Sequence, residues 1–219
     1  MSTTTLEATE LETLADFIDR LGGISPSRVR FHPLPGTATE ADLLKVIAKR
    51  SGRIYELVDG TLVEKVMGYR ESFLAGTLLM LLRRHVDPQN LGLVSGADGM
   101  MRLHGGLLRI PDVAFASWDR IPGRKVPVEP IPDLVPDLAI EVLSEGNTPA
   151  EMARKCREYF AAGVRLVWLI DPATRTAVVH LSPEESSHYD AEGTLDGGDV
   201  LPGLSVPLGP LFAELDRNG

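Results

Sequence analysis

The run Leu138-Ala139-Ile140-Glu141-Val142-Leu143 restricts this chain more than any other segment. Apart from Glu141 it is wholly apolar, as in a strand covered on both faces, so the chain must supply a layer on each side of a sheet. The helix that follows is marked at both ends. Thr148 stands as N-cap, Pro149 at the first helical position, Glu151 at the capping-box position and Gly163 just past the end. A second buried strand is expected over Arg165 to Ile170, stopped by Asp171-Pro172, with Ala177 to Leu181 pairing beside it.

Upstream, Leu6 to Leu21 carries Leu11, Leu14, Ala15, Ile18 and Leu21 at helical spacing before Gly22-Gly23. Pro26, Pro33 and Pro35 make Ile24 to Gly36 read as an extended linker. Residues 1–36 are therefore expected to be an N-terminal helix and linker, and 37–219 one domain. Thr39 followed by Asp42 marks a helix over about Glu40 to Arg50. Asp59-Gly60 between Ile54–Val58 and Leu62–Val66 predicts a hairpin. A long helix over Arg70 to His85, bounded by Asp87-Pro88, comes next, then strands near Gly92 to Val94, Met100 to Leu103 and Leu108 to Ala116. Beyond Ser182, acidic and Gly-rich turns lead to a short closing helix near Leu211 to Leu215. The order gives an α/β or α+β layout: a central mixed sheet flanked by helices, one on each face.

The net charge of −9 weighs against a nucleic-acid partner, because phosphate binding draws most of its affinity from Lys and Arg. Two clusters soften this. Arg102, Arg109, Arg120, Arg124 and Lys125, with Arg154, Lys155 and Arg157, form either a local basic rim or a set of solvated surface charges. Apolar runs such as Leu78 to Leu82 are too short to cross a bilayer, and Met1 to Glu10 has no basic region before an apolar stretch. No membrane partner and a cytoplasmic location are expected. The lone Cys156 excludes an internal disulfide and reads as a small buried helix residue.

Glu141 carries the most chemical information. An ionised carboxylate in an apolar strand costs several kcal/mol, on the order of 3 or more, unless it is paired or binds a cation. Asp112 is a second strand-borne carboxylate, and alternation sets it with Ala114 and Ala116, opposite Val113 and Phe115. Two such acids facing one space suit Mg²⁺ (or Mn²⁺), which takes oxygen ligands and keeps waters. Glu56 and Asp137 read as structural acids, and Trp118 and Trp168 as packing anchors.

Ile110-Pro111-Asp112 followed by Ile140-Glu141-Val142 resembles the PD-(D/E)xK nuclease signature, in which Asp and Glu hold metal and a Lys assists the attack. The lysine position two residues after the Glu holds Leu143. Lys155, on the capped helix, is the candidate replacement, a migration known in the superfamily; its other role is a surface pair with Glu151. A longer series runs in order: Tyr55-Glu56-Leu57-Val58-Asp59-Gly60, Pro111-Asp112, Pro136-Asp137 through Ser144, Lys155 with Glu158-Tyr159, Ala162-Gly163-Val164, and Val167-Trp168-Leu169-Ile170-Asp171-Pro172. Over roughly Leu34 to Leu215 this resembles the Uma-two family of bacterial restriction-endonuclease-like proteins.

The resemblance implies a restriction endonuclease-like core and an endonuclease acting on DNA. Asp112, Glu141 and the Val142 carbonyl would bind Mg²⁺, and Lys155 would orient the attacking water or stabilise developing charge. Many members have a His or polar residue where this chain has Glu71, which adds a third metal-binding carboxylate or favours the helix N-terminus. Asp112→Ala or Glu141→Ala is expected to abolish divalent-dependent DNA cleavage without unfolding the protein. Two rival readings remain: a catalytically inactive nuclease-fold protein that binds nucleic acid or regulates, and a metal-dependent hydrolase of a small phosphorylated molecule. A homodimer would let two sites cut two strands, though no segment marks an interface.

Overall fold

The computed structural model of the protein describes residues 12–49 and 52–218. In chain order the elements are α1 (Leu14–Arg20), α2 (Glu40–Ala48), β1 (Ile54–Val58), β2 (Thr61–Lys65), α3 (Tyr69–Gln89), β3 (Gly92–Gly96), β4 (Met101–Arg102), β5 (Leu108–Arg109), β6 (Val113–Ser117), β7 (Leu138–Val142), α4 (Pro149–Ala162), β8 (Leu166–Asp171), β9 (Thr176–His180), β10 (Ser186–Tyr189), β11 (Thr194–Gly197), β12 (Leu201–Pro207) and α5 (Leu208–Ala213). A six-stranded sheet has the order β10-β9-β8-β7-β6-β3, with β7 and β8 parallel and the other pairs antiparallel. A smaller sheet, β2-β1-β5-β4, and the β11–β12 ribbon complete the structure.

Every residue of β7 is buried, because helices cover both faces of its sheet. Leu138, Ile140 and Val142 join Val113, Phe115 and Trp168 against Leu74, Leu78 and Leu82 of α3. Ala139 faces the other way, with Ala114, Val167 and Leu169 against Met152, Cys156 and Tyr159 of α4. Each fully buried Leu of α3 contributes about 1.5–3 kcal/mol, which outweighs the weak intrinsic preference of any one turn. Helix α4 has the limits its sequence marks: Glu151 N donates to Thr148 Oγ1 at 3.0 Å, and Gly163 closes the helix at φ 103°.

Three expectations need correction. The strand expected over Leu108 to Ala116 is two strands in different sheets, β5 and β6, separated at Ile110-Pro111-Asp112. Pro111 has no N–H to continue a ladder, so the chain crosses from one sheet to the other there and leaves Asp112 at the seam. Helix α3 runs through Pro88 to Gln89 and ends at Asn90 in the left-handed region, φ 50°. Proline in the last turn forfeits one hydrogen bond near the frayed end, which solvent can replace. The region beyond Ser182 holds β10, β11 and β12, and Leu195, Leu201, Leu204 and Val206 of the ribbon are buried against the α3 side of the core.

The described part of the N-terminal segment is tied to α4. Leu21 and Ile24 are buried in the α4-side core, and Arg28 donates to both carboxylate oxygens of Glu151 at 2.8 and 2.9 Å. Gly22, at φ 93°, lies so close that a Cβ there would come within 2.5 Å of Glu151 Cα. Residues 6–11 and Arg50 of the two expected helices lie outside the described residues. Among those described, no helix is long and apolar enough to cross a membrane.

Candidate functional site

Asp112 and Glu141 face the same space, on the α4 side of the large sheet. Val113 pairs with Ile140 across β6 and β7, so the residues on either side of that pair, Asp112 and Glu141, project together. Two backbone bonds fix Asp112: its N–H donates to Ile140 O at 2.9 Å, and Val142 N donates to its Oδ2 at 2.6 Å. Oδ1 is left as a buried oxygen that accepts no hydrogen bond. Glu141 is held from α4, where Lys155 Nζ donates to Oε2 at 3.0 Å and Tyr159 Oη donates to Oε1 at 2.5 Å. Lys155 and Tyr159 are one turn apart on the helix, so a single face presents both.

The smaller sheet closes the site. Glu56 of β1 takes Ile110 N on Oε1 at 3.0 Å and Arg109 Nη1 on Oε2 at 2.6 Å, and Lys155 Nζ lies 3.6 Å from its Oε1. Arg109 also donates to Glu158, which pairs in turn with Arg154 at 2.7 Å. Lys65, the last residue of β2, brings its Nζ 2.8 Å from Asp112 Oδ1, off the hydrogen-bonding direction, while donating to Ile110 O at 2.6 Å. Three acids and three cations thus share one desolvated volume. Asp112, Glu141 and Lys155 are only 3%, 4% and 3% exposed.

Burial and mutual repulsion set the protonation of this cluster. For Glu56, burial pushes the carboxyl upward, but Lys155, Arg109 and Lys65 prevail and hold it at about 2, below the ordinary 4.5. Glu141 goes the other way: burial, Asp112 and Glu56 raise it despite Lys155 and Lys65. The buried Lys155 is held above its usual range by Glu141 and Glu56, which outweigh burial. Because the folded Glu56 value is depressed, its contribution to stability is complete above pH 4.5 and is lost as pH falls toward about 2. The contribution is on the order of 3 kcal/mol. Glu141 has the opposite sign, adding stability as pH falls through its raised value. Urea unfolding between pH 4.5 and 2.5 should therefore lose stability less steeply in Glu56→Gln than in the parent; equal slopes would remove the Glu56 assignment.

The other expected residues are placed differently. Glu71 lies on the wall of a groove of about 890 Å³ beside the site, its Oε2 folded over Gly68 so closely that a Cβ on Gly68 would be 2.2 Å away. At the start of α3 it is half-buried on that wall, apart from the groups that hold Asp112 and Glu141. Val66 and Leu143, which follow Lys65 and Val142, line the groove; Asp112, Glu141 and Lys155 do not. Among the described residues, no three His, Cys, Asp or Glu side chains form a group arranged to hold a metal ion. Several of the clustered basic residues, read as a local rim or as solvated surface charges, are paired or buried. Arg102 pairs with Glu40, Arg120 with Asp137, Arg124 with Asp119, and Arg109 is buried. Lys155 does not pair with Glu151 on the surface, since both are buried and Glu151 is taken by Arg28.

The model of a family described as "Uma2: Putative restriction endonuclease" matches residues 39–210. The chain belongs to this family. Among solved structures it is similar to a protein from Anabaena variabilis titled a putative nuclease belonging to DUF820. The two are 21% identical with a TM-score of 0.69, over 79% of this chain and 98% of that one. That likeness establishes the fold, a restriction endonuclease-like α+β core, and family and fold together support a nuclease. No curated protein matches the chain.

In this Uma2-family chain, sequence reasoning missed Lys65, took Glu56 for a structural acid and took Arg109 for a charge of a rim or of the solvated surface. A signal for Lys65 was present. The Asp59-Gly60 turn fixes the register Glu56↔Val63, so Glu56, Val58, Val63 and Lys65 share one face of the hairpin. A cation and an acid beside two valines on that face mark it as buried and paired.

Proposed function

We propose that this protein is a Mg²⁺-dependent endonuclease that hydrolyses phosphodiester bonds in DNA, with residues 37–219 as its nuclease domain and residues 1–36 as an accessory segment. The observation that carries the reading is the side-by-side projection of Asp112 and Glu141 with the Lys155 ammonium behind them. The donor set fits a hard divalent cation: carboxylate oxygens, one of them, Asp112 Oδ1, without a hydrogen bond, and an ammonium already drawn to that oxygen. Asp112, Glu141 and the Val142 carbonyl would hold it. When bound, such a cation supplies polarisation of the phosphate and a water of lowered pKa.

The chain's own groups do the rest. Val142 N–H holds Asp112 Oδ2 and so directs Oδ1 at the site. Tyr159 fixes the Glu141 rotamer, and Lys155 orients the attacking water and stabilises the charge that develops on the phosphoryl oxygens. Two copies of the chain would bring two such sites to the two strands of a duplex. Against this stands a catalytically silent nuclease fold, favoured by the burial of both acids away from the groove. The test offers duplex DNA, RNA and free nucleotides side by side, with Mg²⁺, Mn²⁺ or EDTA. Cleavage of DNA that EDTA abolishes is expected. Hydrolysis of free nucleotides alone, or no divalent-dependent hydrolysis of any substrate, overturns the proposal.

A further inference from the structure

We propose that Lys65 is the resident counter-cation of this site and that a divalent cation enters by exchange with it, the ammonium withdrawing as metal and a phosphodiester arrive. The inference rests on the site reading above and gives a role to a residue that reading leaves without one. Lys65 Nζ is surrounded by three oxygens, Asp112 Oδ1 at 2.8 Å, Ile110 O at 2.6 Å and Ala97 O at 3.4 Å. Its side chain is 7% exposed. The one buried carboxylate oxygen of the site that accepts no hydrogen bond thus lies 2.8 Å from the ammonium, which compensates it by charge alone.

Charge decides between exchange and simple addition. Counted by formal charge, Glu56, Asp112 and Glu141 match Lys65, Lys155 and Arg109, which lie against them, so the closed cluster is balanced, and Glu158 is paired outside it with Arg154. A divalent cation added to that set would leave two positive charges uncompensated in a volume closed to water, which is prohibitive. With Lys65 withdrawn, a divalent cation and the single negative charge of one phosphodiester restore neutrality. Metal and phosphodiester are therefore expected to bind cooperatively. Lys65 is the last residue of β2, and Val66, next along, is exposed and lines the groove, so the ammonium would withdraw toward that side.

The test uses the full chain and Mn²⁺ titrated by calorimetry, with and without a deoxydinucleotide as phosphodiester probe. Lys65→Met removes the competing charge, so it should bind Mn²⁺ at least about tenfold tighter than the parent. The gain should vanish in Lys65→Met/Asp112→Asn. In the parent, Mn²⁺ with the dinucleotide should raise labelling of Lys65 by an amine-selective reagent, read by mass spectrometry, at least about threefold. This second measurement decides the matter if Lys65→Met does not fold. Equal Mn²⁺ affinities in parent and variant, a gain that survives Asp112→Asn, or Lys65 labelling that metal does not change would each overturn the proposal. None of these readouts involves cleavage. A tighter Lys65→Met site in a chain that cuts nothing would sustain the exchange and remove the nuclease reading, and a cleaving chain with unaltered affinity would do the reverse.

Discussion

Asp112→Asn and Glu141→Gln should each lower divalent-dependent DNA cleavage by about 10²–10³-fold in kcat/KM, the range for losing one electrostatic group from a preorganised site. The amides are chosen because the structure makes the alanine variants unsuitable. Glu141 is buried with Lys155 and Tyr159 on its two oxygens, so Glu141→Ala leaves an ammonium with one acid fewer and opens a cavity. Gln keeps the volume, can accept from Lys155 through its carbonyl, and can donate to Tyr159, whose hydroxyl reverses role. Asn at position 112 keeps the bond from Val142 N while cancelling the charge that faces Lys65. Single-turnover rates at saturating Mg²⁺, with thermal melts as the folding control, provide the check. A folded amide variant within threefold of the parental rate would take that residue out of the machinery.

How far this site was legible depends on the range over which each part is specified. Thr148, Pro149 and Gly163 act within a turn of the helix they bound, so the limits of α4 follow from adjacent residues. Glu141 announces itself because one charge in an apolar strand has no cheap solution except a partner. Asp112 is legible in its facing but not in its place at the seam, which depends on Pro111 ending one ladder and on a second sheet being there to receive β5. Lys65 and Glu56 were the harder cases. Hairpin register puts them on a common face, but which layer that face meets is decided by packing against α4, far along the chain. Glu71 is legible as a residue at a helix start, which is local information, whereas its placement on the groove wall is set by how α3 leaves the hairpin.

Lys155→Met should cost about 3–5 kcal/mol, the second large effect, and lower the melting temperature by roughly 10 °C for a chain of this size. The loss comes from what the variant leaves behind. Glu141 and Glu56 both face Lys155, at 3.0 and 3.6 Å, and methionine fills the space without supplying charge. Glu141 is already raised by burial and by its acidic neighbours, and removing Lys155 raises it further. A carboxyl with a raised folded value is penalised wherever the unfolded chain is ionised, so the penalty is absent below the ordinary 4.5, grows as pH rises from there to the raised value and is complete above it. Lys155→Met should therefore be more damaging at pH 8 than at pH 5. Adding Glu141→Gln should recover more than half the loss, because the repulsion with Glu56 and Asp112 goes with the charge. A simple surface role for Lys155 predicts the contrary on both counts: a change near zero, independent of pH, and strict additivity with Glu141→Gln. Melts of the two single variants and the double at both pH values separate the cases, and pH-independent additivity would reduce Lys155 to a packing residue and take the ammonium out of the proposed chemistry.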